Sequence, residues 1–304
     1  MSSNGTQVPD PNRTPYGYVP TEAVCITFLV LFAISGLLHL FQAIKYRTWW
    51  MIASLVVGCA GEVIGWSGRL WSSQNPGLLD PFLMQITTTI ISPSFMSAAN
   101  FTILGFIIRK IGTQYSWLTP RWYLIIFITL DLASLVVQAI GGARASAAAE
   151  NDEDADPGGR IMLYGIVAQM IALTAYVILG TEVIVRYYLN KPVRKAPEPQ
   201  DESVETLGEK KVHSNGRTVL DRNTQLMLLG LIVSSVFLFI RAIYRTIELN
   251  DGWDGSVITN QALFNWLDGM PITVCTYTFN ILHPGYLLFR KAKGTGTPAA
   301  LEKA

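Results

Sequence analysis

Residues 226–240 run without a charged side chain and lead directly into Arg241, Arg245 and Glu248. At about 100° per residue these three side chains fall on one helical face. Two guanidiniums and a carboxylate at the end of so apolar a helix are too costly to face lipid. They need partners on other helices. The chain must therefore fold as a bundle that buries this face.

The rest of the sequence supplies such a bundle. Half of the 304 residues are hydrophobic and 15% are charged, against about 25% charge in an ordinary soluble domain. The apolar residues gather in blocks of about 18 or more, the length that spans a bilayer as a helix. Seven spans can be drawn, at 22–44, 49–71, 81–108, 122–143, 161–188, 224–244 and 262–289. The expected fold class is an all-α membrane protein, a seven-transmembrane helix bundle. A net charge of +1 offers no field for nucleic acid, and no nucleic-acid partner is expected. Cys25, Cys59 and Cys275 all lie inside apolar runs, as buried packing residues do, and no loop disulfide is expected. Residues 1–20 are polar and proline-rich, so no cleavable signal peptide is expected before the first span.

Charge sorting sets an orientation. Lys45 and Arg47 follow the first span; Arg109, Lys110 and Arg121 follow the third. Lys191, Arg194, Lys195, Lys210, Lys211 and Arg217 follow the fifth, and Arg290, Lys291 and Lys293 the seventh. The alternate loops are acidic or uncharged. The positive-inside rule then predicts an N-terminus outside and a C-terminus in the cytosol. The expected organisation is an extracellular tail at 1–21, a bundle at 22–290 and a cytosolic tail at 291–304. The loop at 190–221 reads as disordered and cytosolic. Sequons at Asn4 and Asn12 fall in the outer tail and are candidate glycosylation sites.

Ionisable and polar residues recur at membrane depth. The second span carries Glu62 and Arg69, seven apart, beside a stripe of Gly58, Gly61, Gly65 and Gly68 that lets a neighbouring backbone approach. The fourth carries Asp131 and Gln138, the sixth Arg241, Arg245 and Glu248, and the seventh Asp268 with Pro271 beyond it. At about 1.5 Å per residue, Glu62 and Asp131 lie near mid-membrane and the others in the outer half. Arg241 and Arg245 are expected to pair with acids from Glu62, Asp131, Asp268 and Glu248. Two readings stay open: a network that staples the bundle, or the polar lining of a ligand cavity. Pro93 is expected to break the third helix and free carbonyls that could line such a cavity. Glu182 and Arg186 read as a structural i, i+4 pair, and His39 as packing or interfacial. Trp49, Trp50, Trp71, Trp117 and Trp122, near span ends, suit an aromatic belt.

Several functions are disfavoured. A retinal protein needs a lysine in the seventh span, which has none. A metal-dependent hydrolase needs about three ligands at membrane depth, and only His39 and His283 are available there. No enzyme and no cofactor are expected. A seven-helix receptor or sensor for a lipid-like ligand remains the alternative, without the loop cysteine pair many receptors use.

The motif from Glu62 through Gly65 to Arg69 carries a resemblance, with Asp131, Gln138, Gly141 and Gly142, and with Arg241-Ala-Ile-Tyr-Arg245-Thr-Ile-Glu248. Together they resemble the fungal lipid-translocating exporter family, also called RTA-like proteins. Asp268 and His283-Pro284 continue the likeness, which spans about residues 22–290. The resemblance implies movement of amphipathic lipids such as sphingoid long-chain bases, resistance to toxic lipids, and a multi-pass protein of the plasma membrane, with an endomembrane as the alternative. Its partners would be membrane lipids and an amphipathic lipid substrate. The chain departs from the family where Phe101 and Phe106 replace the usual Tyr and Arg, and around Gln261 and Asn265. A lipid head is expected between the second, fourth, sixth and seventh helices. A cationic amine would favour Glu62, Asp131 and Asp268, and a phosphate Arg241 and Arg245.

Overall fold

The computed structural model describes residues 14–151, 153–194, 220–253 and 255–289. The sequons at Asn4 and Asn12, most of the loop at 190–221 and the tail at 291–304 lie outside the described residues. Every regular element among the described residues is helical. In order they are α1 (Glu22–Tyr46), α2 (Val57–Gln74), α3 (Leu79–Ile111), α4 (Pro120–Glu150), α5 (Asp156–Leu189), α6 (Arg222–Asp251), α7 (Gln261–Phe264), α8 (Met270–Ile281) and α9 (Pro284–Leu287). Five of them, α1, α3, α4, α5 and α6, are long and apolar enough to cross a membrane. The chain is an all-α, multi-pass membrane protein.

The remaining two expected spans are helical but interrupted. A wide π turn, Ile52–Val56, leads into α2. A second π turn, Asn265–Gly269, joins α7 to α8 and holds Asp268. Pro271 accounts for the second: without an N–H it cannot close the bond to the Leu267 carbonyl, and a wider turn absorbs the defect. Asn260 starts α7, its side chain accepting from the amides of Ala262 at 3.0 Å and Leu263 at 3.3 Å. His283-Pro284 ends the span; the His283 ring caps α9 by accepting from the Gly285 amide at 3.1 Å.

Consecutive helices pack side by side, and α8 closes the ring against α1 and α6. The third helix stands at the centre, touching α2, α4, α5, α6 and α8. Its most apolar stretch is 72% buried, against 22–39% for the other four long spans. Gln85, Thr89, Ser92, Ser94, Ser97 and Asn100 are all buried along it. A helix this polar is tolerable in a membrane only when the other helices shield it.

Small residues set how closely the helices approach. A Cβ on Gly61 would sit 2.3 Å from Ser92 Oγ, and one on Gly65 2.6 Å from Thr89 Cγ2. The glycine stripe of α2 therefore faces α3, as the pattern predicts. Gly141, Gly158 and Gly165 do the same between α4 and α5.

Contrary to expectation, Pro93 does not break α3, which runs unbroken through it. Residues 14–21 are also no free tail. Tyr16 is buried against Phe82, ring centroids 4.8 Å apart, and the segment straps one end of the bundle. At the opposite end, Lys110 pairs with Asp221 at 2.9 Å and Trp117 Nε1 donates to Glu182 at 2.8 Å. The Glu182–Arg186 pair forms at 2.7 Å, as expected. His39 is packed in the interior against the Thr276 carbonyl at 3.1 Å, and all three cysteines are free and buried.

Candidate functional site

The eight polar residues singled out at membrane depth are all buried; seven of them fall into three groups, and Glu62 stands outside all three. The first is an ion cluster between α6 and the π turn of the seventh span. Arg245 forks onto Asp268, Nε to Oδ1 at 2.6 Å and Nη2 to Oδ2 at 2.8 Å, and donates Nη1 to Glu248 at 2.8 Å. Such two-point guanidinium–carboxylate contact is the strongest form of the pair. Tyr244 OH donates to the other Glu248 oxygen at 2.8 Å. Arg241 Nε lies 3.0 Å from Asp268 Oδ1, in ion contact but without hydrogen-bond alignment.

Arg241 makes its aligned bond elsewhere. Its Nη2 donates to the main-chain carbonyl of Thr89, and Arg245 Nη2 donates to Thr89 Oγ1 at 3.1 Å. Thr89 is four residues before Pro93, so its carbonyl is the one that the missing proline N–H leaves open. The freed carbonyl anticipated near Pro93 is thus real, and an arginine fills it. Glu62, expected among the acids that pair with Arg241 and Arg245, forms no ion pair with any described residue. It is 2% exposed, and its Oε1 lacks a protein partner.

Asp131 and Gln138 form the second group, apart from the arginines. Asp131 accepts from Ser97 Oγ at 2.7 Å and from Gln169 Nε2 at 2.7 Å. Gln169 Nε2 also reaches Ser94 Oγ at 2.7 Å, and its Oε1 accepts from Gln138 Nε2 at 3.1 Å. The expected pairing of Asp131 with an arginine is therefore overturned, because the rotation of α4 turns it toward α3 and α5. Sequence reasoning missed Ser94, Ser97 and Gln169 because it weighed charge above neutral polarity. The available signal was an amide and a serine pair well inside apolar spans.

Arg69 makes the third group by itself. It was read alongside Glu62, yet it forms no ion pair with any described carboxylate. Its Nη2 donates to Tyr18 OH of the N-terminal strap. The guanidinium carbon lies 4.1 Å from the Phe264 ring centroid and 4.9 Å from that of Tyr16.

Two hollows adjoin these groups. A cavity of about 40 Å³ lies between α3, α4, α5 and α6, walled by Pro93, Ser97, Phe101, Asp131, Gln138, Gln169, Arg241 and Arg245. It joins the first two groups, but α3 and α5 shape it, not the second and seventh spans expected. Phe101, where the resemblance expects a Tyr, falls on its wall. Next along α5 and α6 is an apolar groove of about 360 Å³, from Thr174 to Ile184 and from Leu228 to Ile240. Leu173 and Leu238 wall the cavity, while their chain neighbours Thr174 and Phe239 wall the groove. The cavity that reaches the buried charges and the apolar groove thus occupy successive turns of one helix pair.

The family model described as RTA1 like protein matches residues 55–291, a stretch that contains all eight polar residues. The chain belongs to the RTA1-like family. Among RTA1-like relatives, the sphingoid long-chain base transporter RSB1 of Saccharomyces cerevisiae is 29% identical over 292 residues, covering 93% of this chain and 76% of that protein. Protein RTA1 of the same yeast is 25% identical over 300 residues, covering 90% and 86%. Its protoporphyrin uptake protein 1 is 22% identical over 301 residues, covering 88% and 90%. No solved structure matches this RTA1-like chain.

Proposed function

We propose that this RTA1-like protein moves an amphipathic lipid, a sphingoid long-chain base or a near relative, between leaflets of the plasma membrane. In doing so it would confer resistance to toxic lipids. The observation that carries this reading is Asp131: a buried carboxyl group bonded to neutral donors, in a cavity next along α5 and α6 from an apolar groove. A cationic amine entering the cavity would find its counter-charge there, with Ser97, Gln169 and Gln138 as further partners. The tail would lie in the groove between α5 and α6, about 18 Å long from residue 228 to residue 240 at 1.5 Å per residue. Unaided, the head meets about 30 Å of hydrocarbon and a large desolvation cost. Support also comes from the relative named as a sphingoid long-chain base transporter. In this reading the ion cluster holds α6 against α3 and the seventh span, and Arg241 and Arg245 reach the cavity wall with their charges already engaged by Asp268 and Glu248.

The membrane arrangement is part of the proposal: seven spans with the N-terminus outside and the C-terminus in the cytosol, as the basic loops suggest. A C-terminal tag digested by protease on intact cells would reject it.

The deciding experiment uses purified protein in liposomes and a fluorescent long-chain base. Leaflet exchange without any partner is expected, with Asp131→Asn losing at least tenfold of it. A lysophospholipid with a phosphate-bearing head should be little affected by the same change. No exchange across a broad lipid panel would sink the transport reading in favour of a sensor for a lipid-like ligand.

A further inference from the structure

Arg69 is 1% exposed and sits beneath the strap of residues 14–21, against Tyr16 and Tyr18. A buried guanidinium normally has an acid beside it, because an uncompensated charge in a dry site is costly. Among the described residues Arg69 has none, and its Nε has no hydrogen-bond partner there either. The phenols around it do not supply the missing charge. Burial pushes the Tyr16 hydroxyl up to about 12 against the opposing pull of Arg69, and burial likewise raises that of Tyr18. Both remain neutral at physiological pH. Ring faces offset part of the cost, but they leave the donor fork of Arg69 only partly used.

The strap that covers Arg69 is pinned by its two tyrosines, Tyr16 against Phe82 and Tyr18 on Arg69. Gly17 turns it with φ +70, and Tyr16 OH lies 3.4 Å from Ser72 Oγ. Tyr18 OH takes the bond from Arg69 Nη2. Beneath the strap is a void of about 10 Å³, walled by Tyr16, Tyr18, Arg69, Gln85, Arg245 and Glu248 among others. Glu248 is no counter-ion for Arg69, since Tyr244 and Arg245 already engage its two oxygens.

We propose that Arg69 is a binding site for a phosphate group arriving from the strap face, with the Tyr18 hydroxyl holding that seat while the site is closed. A guanidinium fork matches two phosphate oxygens at once. The free Nε and the Nη2 now on Tyr18 present that fork once the strap lifts. Gln85 lies on the same wall as a further polar group. The site is distinct from the Asp131 cavity, takes the opposite charge, and does not depend on transport.

The test is calorimetric titration of the full chain in a non-ionic detergent, with inorganic phosphate and with dioctanoyl phosphatidic acid. Tyr18→Phe removes the competing hydroxyl while keeping the ring, and should tighten binding about tenfold over the unaltered protein. Arg69→Lys, which keeps the charge but loses the fork, should weaken it about tenfold. Binding of phosphatidic acid alone assigns a lipid headgroup; binding of inorganic phosphate as well assigns a soluble anion; either supports the site. Absence of binding by Tyr18→Phe, or binding unchanged in Arg69→Lys, overturns it. Because no leaflet exchange is measured, failure of the transport reading would leave this result standing.

Discussion

The guanidinium of Arg241 bonds the main-chain carbonyl of Thr89, the acceptor that Pro93 leaves open one turn further along α3. A defect in one helix is thereby filled by a charge from another. The same guanidinium touches Asp268, so α3, α6 and the seventh span meet at one side chain. In hydrocarbon an open carbonyl has no water to turn to, and a bare guanidinium costs roughly 2.5 kcal/mol or more. Each group resolves the other's deficit.

This pairing predicts coupling between Pro93 and Arg241. Pro93→Ala restores an N–H that can take the Thr89 carbonyl, so it should soften the cost of losing Arg241. Measured as unfolding in detergent, Arg241→Gln alone should destabilise, and the double variant should recover about 0.5–3 kcal/mol relative to additivity. Strict additivity would mean that the two residues act independently.

The Arg245–Asp268 fork should be the main structural staple. Arg245→Ala leaves Asp268 with only the Arg241 contact and Glu248 with only the Tyr244 hydroxyl, and should cost about 3–5 kcal/mol. Arg121→Ala, at an exposed position where α4 begins, should stay within about 0.5 kcal/mol. Thermal unfolding of both in the same detergent makes the comparison. Equal effects would remove the special status of the fork.

A groove that seats a tail can be filled. Val177 walls it, whereas Ile171, two turns away on α5, is 63% exposed and touches neither hollow. Val177→Trp should cut leaflet exchange of a fluorescent long-chain base at least tenfold with little change in unfolding temperature. Ile171→Trp should leave exchange near its starting rate. If the two behave alike, the tail takes another route.

Two adjacent glycines should respond differently to one methyl group. A Cβ on Gly141 would lie 2.5 Å from the Met162 amide nitrogen, so α4 and α5 would have to part. On Gly142 the contact found is Met162 Sδ at 3.8 Å, an ordinary separation. Gly141→Ala should therefore cost about 1–3 kcal/mol by overpacking. Gly142→Ala should be neutral or slightly stabilising, since glycine is the poorer helix former.

Much of this protein was written in one dimension. Runs of apolar residues set the helices, because transfer to hydrocarbon is a sum over local residues. The positions of Arg241, Arg245, Glu248 and Asp268 required that they be buried together. The glycine stripe of α2 declared a close neighbour, and Pro93 declared an open carbonyl. The pairings were not legible. Which acid meets which arginine depends on how each helix is rotated and which helices adjoin it. Both are settled by packing between residues more than a hundred positions apart, such as Arg241 and Thr89. That is why Asp131 turned to Ser97 and Gln169 instead of an arginine, and why Glu62 has no ion partner. It is also why the strap went unread: Tyr16 and Tyr18 look like any polar-tail residues until Arg69, some fifty positions later, is brought beneath them. Local transfer energies specified what had to be inside; only the tertiary arrangement decided what each buried charge would face.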